Sequence, residues 1–236
     1  MQYIPPANLR GHDITPLLAN RGLDPDWIQL HDFDPHTPQN VARYTYAETA
    51  AKIPFHYRSA VPTLPQLRAW IDTLVATAKQ AQAERGGPIA SITHGPSILL
   101  LGVTGVGKTH EAYGAMRELA VSGVYGQWQV TTAADLYAAL RPRHGVDSEA
   151  EFRKYRDARL LLVDDLGAER KPTEFTEEIN FRLINHRYEH HLPTVMTSNM
   201  RPKELTERLG DRVVGRLREM CERIPMEGHD RRRNAA

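Results

Sequence analysis

From residue 97 onward the chain alternates two hydrophobic periods. Short continuous apolar runs at 98–101 and 160–163, and a strand-like run at 194–197, each end in a glycine or a polar residue, the signature of strands buried on both faces. Weaker runs at 127–131 and 224–226 complete a set of five. Between them, 109–121 carries Ala112, Ala115, Met116 and Leu119 on one helical face. Residues 133–140, 149–155 and 175–188 also read as helices, and 205–221 as mostly helical. Strands alternating with helices predict an α/β fold with a parallel sheet covered on both faces.

The first sixty or so residues follow neither period. Prolines recur from Pro5, Pro6 and Pro16 through Pro25, Pro35, Pro38, Pro54 and Pro62, with turn signals at Asp24-Pro25-Asp26 and Asp32-Phe33-Asp34-Pro35. One short helix near 14–20 is expected in an otherwise irregular arm, where Trp27, Ile28 and Leu30 either dock on the domain or anchor a partner. A longer helix follows, with Thr63 near its start and Pro65 in its first turn, where a missing N–H costs nothing. Leu67, Ile71, Leu74, Val75 and Ala78 form its apolar face, and Gly86-Gly87-Pro88 ends it. The expected division is therefore an arm over 1–60 and one domain over 61–236. Within that domain, 61–96 is leading helix and linker and 97–236 the core.

Composition narrows the class. A hydrophobic fraction of 41% and a charged fraction of 25% are those of a globular protein. The single cysteine, Cys221, excludes a disulfide framework and a cysteine zinc finger, and reads as a small buried apolar residue. No stretch approaches the roughly 20 apolar residues of a membrane helix, and the first ten residues lack a basic-then-apolar leader. A cytoplasmic location is expected. Net charge is +1, but basic residues gather after Arg201 and end in Arg231, Arg232 and Arg233. They form either a solvated tail or a surface for phosphate backbone.

Gly102-Val103-Thr104-Gly105-Val106-Gly107-Lys108-Thr109 matches the phosphate-loop pattern in full. Glycines let successive backbone N–H groups turn toward phosphate oxygens. The loop follows an apolar strand and opens a helix whose N-terminal dipole favours an anion. Lys108 supplies a charge at the β- and γ-phosphates, and the Thr109 hydroxyl ligates magnesium. The nucleotide-contacting run extends from Gly102 through Thr104, Gly105, Val106 and Gly107 to His110. Leu160-Leu161-Leu162-Val163-Asp164-Asp165 places acids at the C-terminal end of a strand, where open parallel sheets bind ligands. Asp164 is the magnesium candidate. Asp165 is the candidate to orient or deprotonate the attacking water, with Glu169 in reserve. Asn199, after the strand at 194–197, either holds the γ-phosphate or lytic water or caps a turn. Arg212 and Arg216, four apart, share a helix face. They are either surface salt-bridge arginines or a source of transition-state charge for a neighbouring subunit. His186 and His190 are also four apart, but no acid gives them the pattern of a zinc hydrolase. Trp70 and Trp128 fall in predicted elements and read as core.

With these elements in order, the sequence resembles the DnaC/IstB family of AAA+ ATPases, the helicase loaders and transposon helper ATPases. The resemblance spans about 97–232. Its more specific signals are Leu162-Val163-Asp164-Asp165-Leu166-Gly167, Leu192-Pro193-Thr194 leading into Thr197-Ser198-Asn199, and Leu209-Gly210 leading into Arg216-Leu217. It implies a three-layer P-loop fold without a C-terminal helical lid, ATP and Mg2+ as cofactors, and ATP hydrolysis. Asn199 takes the family's sensor position. Arg216 takes the arginine-finger position, with Arg212 second. Gly228-His229-Asp230-Arg231-Arg232 looks like the family's core ending. Residues 133–157 match a segment that touches single-stranded DNA, and Arg141, Arg143, Arg153, Lys154 and Arg156 supply phosphate contacts there or a solvated helix face. The implied partners are single-stranded DNA, a replicative helicase or a transposase, and further copies of the chain when ATP is bound. Asp165 stands where many AAA+ proteins carry glutamate, which points to slow, switch-like hydrolysis. A small-molecule P-loop kinase is the alternative from another class, although no acceptor pocket can be read.

Overall fold

The computed structural model describes residues 8–9, 12–29, 34–168, 172–228 and 230. In chain order the elements are β1 (Asn8–Leu9), β2 (His12–Asp13), α1 (Thr15–Asn20), α2 (Pro38–Ala50), α3 (Pro65–Arg85), β3 (Ser97–Leu101), α4 (Lys108–Ala120), β4 (Trp128–Thr132), α5 (Ala133–Leu140), α6 (Ser148–Arg156), β5 (Leu160–Asp164), α7 (Glu174–Glu189), β6 (Thr194–Ser198), α8 (Pro202–Leu209), α9 (Asp211–Met220) and β7 (Cys221–Pro225). No helix among the described residues is long and apolar enough to cross a membrane.

The chain divides into two units, 1–93 with 110–127, and 94–109 with 128–236. The division expected at residue 60 is not the one the contacts make. The second unit holds a five-stranded parallel sheet in the order β4-β5-β6-β3-β7. Every residue of β5 and β6 is buried, as strands in the middle of a sheet covered on both faces are. Leu136, Phe152, Leu161, Leu183, Met196 and Leu217 belong to its core. The stretch expected to be mostly helical at 205–221 is two helices, α8 and α9. They break at Gly210, whose φ of 80° suits a residue without Cβ. Cys221 then starts a strand rather than ending a helix, and its burial pushes the thiol pKa up to about 12.

The first unit corrects the expectation of an irregular arm. The 13-residue helix α2 occupies 38–50, where no periodic run was evident. Thr37 caps it by accepting the Asn40 N–H, and Pro38 sits at its first position. Its buried face is built from Ala42, Thr45, Tyr46, Thr49 and Ala50, small and hydroxylated residues that carry little hydrophobic signal. Ile14, Leu17, Leu18, Ile28 and Tyr46 form a core with Ala120 and Val121 of the α4 end, and Trp27 packs against it. Trp27 and Ile28 therefore dock, whereas Leu30 lies outside the described residues.

Buried charges hold this unit together. Arg117 is 0% exposed. It donates to the Tyr46 hydroxyl (3.1 Å), to the Asp13 carbonyl (2.6 Å) and to the Ala60 carbonyl. His12 lies beside Tyr46 with its Nδ1 3.2 Å from the hydroxyl. Burial, with the Arg117 and Arg58 charges, lowers its pKa to about 4. Buried Glu111 accepts from Thr63 N–H (2.8 Å), Thr63 Oγ1 (2.6 Å) and Leu64 N–H (3.3 Å), capping α3 from a distant position in the sequence. Trp70 is buried on α3. Replacing Arg117 by leucine removes the donor from three acceptors, two of them in buried bonds, at a cost of about 3 kcal/mol. Limited proteolysis of Arg117→Leu should cut within residues 12–60 well below the thermal midpoint of the wild type. Equal protection in the two proteins would contradict a folded first unit.

Candidate nucleotide site

The site forms at the C-terminal tips of β3, β6 and β5, which lie side by side in that order. Chain turns link the tips. The Gly102 N–H donates to the Ser198 carbonyl at 3.2 Å, and the Leu166 N–H to the Thr197 carbonyl at 2.8 Å. The Ser198 hydroxyl donates to the Leu166 carbonyl at 2.7 Å. Gly102 has no room for a side chain, since a Cβ would lie 2.3 Å from the Met226 carbonyl oxygen. Gly105 and Gly107 both have positive φ, 89° and 101°, which curls the loop as the motif requires. Lys108, 6% exposed, folds back to donate to the carbonyls of Gly102 (2.8 Å) and Val103 (3.0 Å). Thr104 lines the cavity described below, Val106 is buried, and His110 is the third residue of α4.

Thr109 and Asp164 meet. The Thr109 hydroxyl lies 3.0 Å from one Asp164 carboxylate oxygen and 3.2 Å from the other. Thr197, which the sequence offered only as part of a strand, donates its hydroxyl to the same carboxylate at 2.6 Å. The Thr197 oxygen in turn accepts the Asp165 N–H at 2.9 Å. Burial raises the pKa of Asp164. The Thr197 hydrogen bond lowers it, the Asp165 charge raises it again, and Thr109 and Lys108 oppose the rise. A hydroxyl and a carboxylate converging on one point are hard oxygen donors of the kind magnesium takes. Asp165 has a φ of 56° and is exposed, unlike the buried Asp164. Aspartate tolerates this conformation better than most residues.

Asn199 follows β6 directly and lines a cavity of about 590 Å3 with Val103 and Thr104 of the loop and Glu204 and Glu207 of α8. Its side-chain oxygen is buried without a hydrogen-bond partner. The carboxylate of Asp230 lies over the open face of Gly105, where a Cβ would meet its oxygen at 2.1 Å. Only the glycine-to-arginine ending hinted at this neighbour. Arg216 does not join this cavity. It lines a separate one of about 440 Å3 with Arg212 and Phe181. There its guanidinium stacks 4.4 Å from the Tyr188 ring centroid and donates to Asn185 at 3.3 Å.

The expected DNA-contacting segment is less basic than its arginines suggest. Lys154 pairs with Glu151 at 2.5 Å and Arg156 with Asp157 at 2.7 Å. Arg141, Arg143 and Arg153 are exposed and make no ion pair among the described residues. His186 and His190 stack at 4.1 Å, and His186 lies 3.0 Å from Asp157. Trp128 is buried in the sheet. Glu169, His229, Arg231, Arg232 and Arg233 lie outside the described residues.

The parallel strand order and the phosphate loop are those of a P-loop ATPase of the AAA+ class. The chain belongs to the DnaC/IstB family: the model of the IstB-like ATP binding protein matches residues 72–235. The replicative helicase loader DnaC of Escherichia coli K12 is 27% identical over 147 residues, 61% of this chain and 56% of that protein. The chain thus spans little more than half of that relative. A putative ATP-binding protein of insertion sequence IS5376 from Geobacillus stearothermophilus is 27% identical over 209 residues, 84% of this chain and 80% of the relative. The crystal structure of the DnaC helicase loader shares the fold with a TM-score of 0.55 at 24% identity, covering 74% of this chain and 100% of that one.

Asp164 carries a cost when no cation balances it. Its folded-state pKa is raised, so its contribution to stability is present at low pH and lost as pH rises through that pKa. Asp164→Asn should therefore stabilise the ligand-free protein at neutral pH by about 1 kcal/mol, with the gain fading in acid. The same variant should lose magnesium-dependent ATP binding. Thermal melts across pH with and without MgATP check both parts.

Proposed function

We propose that this protein is a MgATP-driven switch acting on DNA, a replicative-helicase loader of the DnaC type. The meeting of Thr109 and Asp164 beside Lys108 and Asn199 carries the reading. Lys108 and the loop amides hold the triphosphate, and Thr109 with Asp164 holds magnesium. Asp165 orients the attacking water, and Asn199 contacts the γ-phosphate or that water. Arg216 acts on the nucleotide of a neighbouring copy, a role supported by its position in a cavity apart from its own phosphate loop. Single-stranded DNA is the nucleic-acid partner, reached through Arg141, Arg143 and Arg153. Lys154 and Arg156, already paired with acids, contribute less. Residues 1–60 are the proposed surface for the protein partner.

A second reading, a transposition helper with a transposase partner, is favoured by a different observation. The insertion-sequence relative aligns with 84% of the chain, against 61% for DnaC. Affinity capture with a non-hydrolysable ATP analogue separates the two: a replicative helicase supports the loader, a transposase the helper.

Lys108→Ala should abolish ATPase activity stimulated by single-stranded DNA, and undiminished turnover in that variant would remove the site. Arg216→Ala should bind ATP normally and hydrolyse it about 10³-fold more slowly. Mixing it with Lys108→Ala should restore activity, because each supplies what the other lacks. Failure of the mixture to recover would argue against action between subunits.

A further inference from the structure

The chain that leaves β7 runs back past the phosphate loop. β7 pairs in parallel with β3, so both strands end on the same edge of the sheet. The Met226 N–H donates to the Leu101 carbonyl at 2.6 Å, and the Met226 carbonyl fills the space beside Gly102. Gly228 then turns with a φ of 140°. Two residues further on, the Asp230 side chain reaches Gly105. A Cβ on Gly105 would lie 2.1 Å from a carboxylate oxygen, 2.3 Å from the carboxyl carbon and 2.9 Å from the Asp230 Cβ. The carboxylate therefore rests against the bare backbone of the loop. Gly105 and Gly107, with φ of 89° and 101°, curl that backbone into a concavity whose N–H groups favour an anion. The N-terminus of the 13-residue helix α4 adds its dipole. Asp230 is thus an anion held on an anion-favouring surface.

A phosphate group in this loop is an anion too. Lys108 brings one positive charge, and its ammonium donates to the Gly102 and Val103 carbonyls. On the nucleotide reading Asp164 has a cation to hold, whereas Asp230, against Gly105, meets the phosphates with a charge of their own sign. We propose that Asp230 is a nucleotide-release residue: its carboxylate competes with the phosphates for the loop backbone, lowers nucleotide affinity and speeds dissociation. The proposal rests on the nucleotide-site reading above and deepens it by naming what lets the nucleotide go. A switch needs its spent nucleotide to leave. A resident anion that takes back the loop does this without a second protein. Asp230 takes no part in breaking the phosphate bond, and its effect is on binding alone.

Release of N-methylanthraniloyl-ADP from the full chain with magnesium, chased by unlabelled ADP, tests this. Equilibrium affinity is measured on the same samples. Asp230→Asn keeps the size of the side chain and removes its charge, and Asp230→Ser removes charge and bulk together. Each should slow release and tighten binding about tenfold, because like charges a few ångströms apart near a protein surface repel strongly. The gap between wild type and variants should narrow as salt rises, which loss of a packing contact would not produce. Asp230 is half-buried, and thermal midpoints show whether the variants fold. Either neutral variant suffices, so one that fails to fold leaves the other to decide. Wild-type release rates in the variants overturn the proposal while leaving the site intact. So does faster release, which makes the carboxylate an acceptor for the nucleotide, or a slowing indifferent to salt. Binding seen only in the variants is the expected effect in stronger form. No binding by any of the three proteins overturns the site reading and the proposal together.

Discussion

One carboxylate, buried between two hydroxyls, organises the site. Asp164 gives up water to sit 2.6 Å from the Thr197 hydroxyl and 3.0 Å from that of Thr109. Neither hydroxyl neutralises its charge, and burial still raises its pKa. A buried carboxylate in this condition is a poor stabiliser and a good cation ligand. Thr197 has a second role, because its oxygen also accepts the Asp165 N–H. That bond helps define the turn that sends Asp165 outward at a φ of 56°. Two adjacent aspartates thereby acquire different environments, one buried, the other exposed.

The second unit follows from layered packing. β3 lies between β6 and β7, and β5 lies beyond β6. Three of these strands end in groups of the proposed nucleotide site: the loop after β3, Asn199 after β6 and Asp164 in β5. Parallel strands place such ends on one edge of the sheet, which is why residues far apart in sequence converge. The first unit obeys a different logic. Glu111, Arg117 and Glu118 of α4 are all 0% exposed, and Glu111 and Arg117 spend their hydrogen-bonding capacity on turns, caps and hydroxyls. Such groups specify one arrangement because any other leaves them without partners.

The core of the fold was legible because its central strands are short, carry apolar runs such as 98–101 and 160–163, and are bounded by glycine or polar residues. The loop was legible because curling a backbone around phosphate needs glycines at set positions, followed by lysine and threonine. Less was legible in the first unit. Helix α2 hides its buried face in alanine, threonine and tyrosine, and proline-rich flanks suggested irregularity where Pro38 in fact begins a helix. The cap on α3 comes from Glu111 across the unit, a distance over which local capping rules give no signal. Thr197 stood in a run that marks the family, but nothing in the sequence tied its hydroxyl to Asp164, since a threonine in a strand is ordinarily only a β-branched filler.

By itself, the amino-acid order determined what is local or periodic: the α/β alternation, the phosphate loop, the acids after an apolar strand and the family to which they belong. Tertiary structure alone decided which partners each polar side chain finds. It brought Thr197 to Asp164, paired Lys154 and Arg156 with acids, put Arg216 in a cavity apart from the loop and set Glu207 beside Asn199. The reason is physical. Hydrophobic periodicity is written along the chain, whereas the satisfaction of a buried charge or hydroxyl depends on groups that only folding brings within about 3 Å.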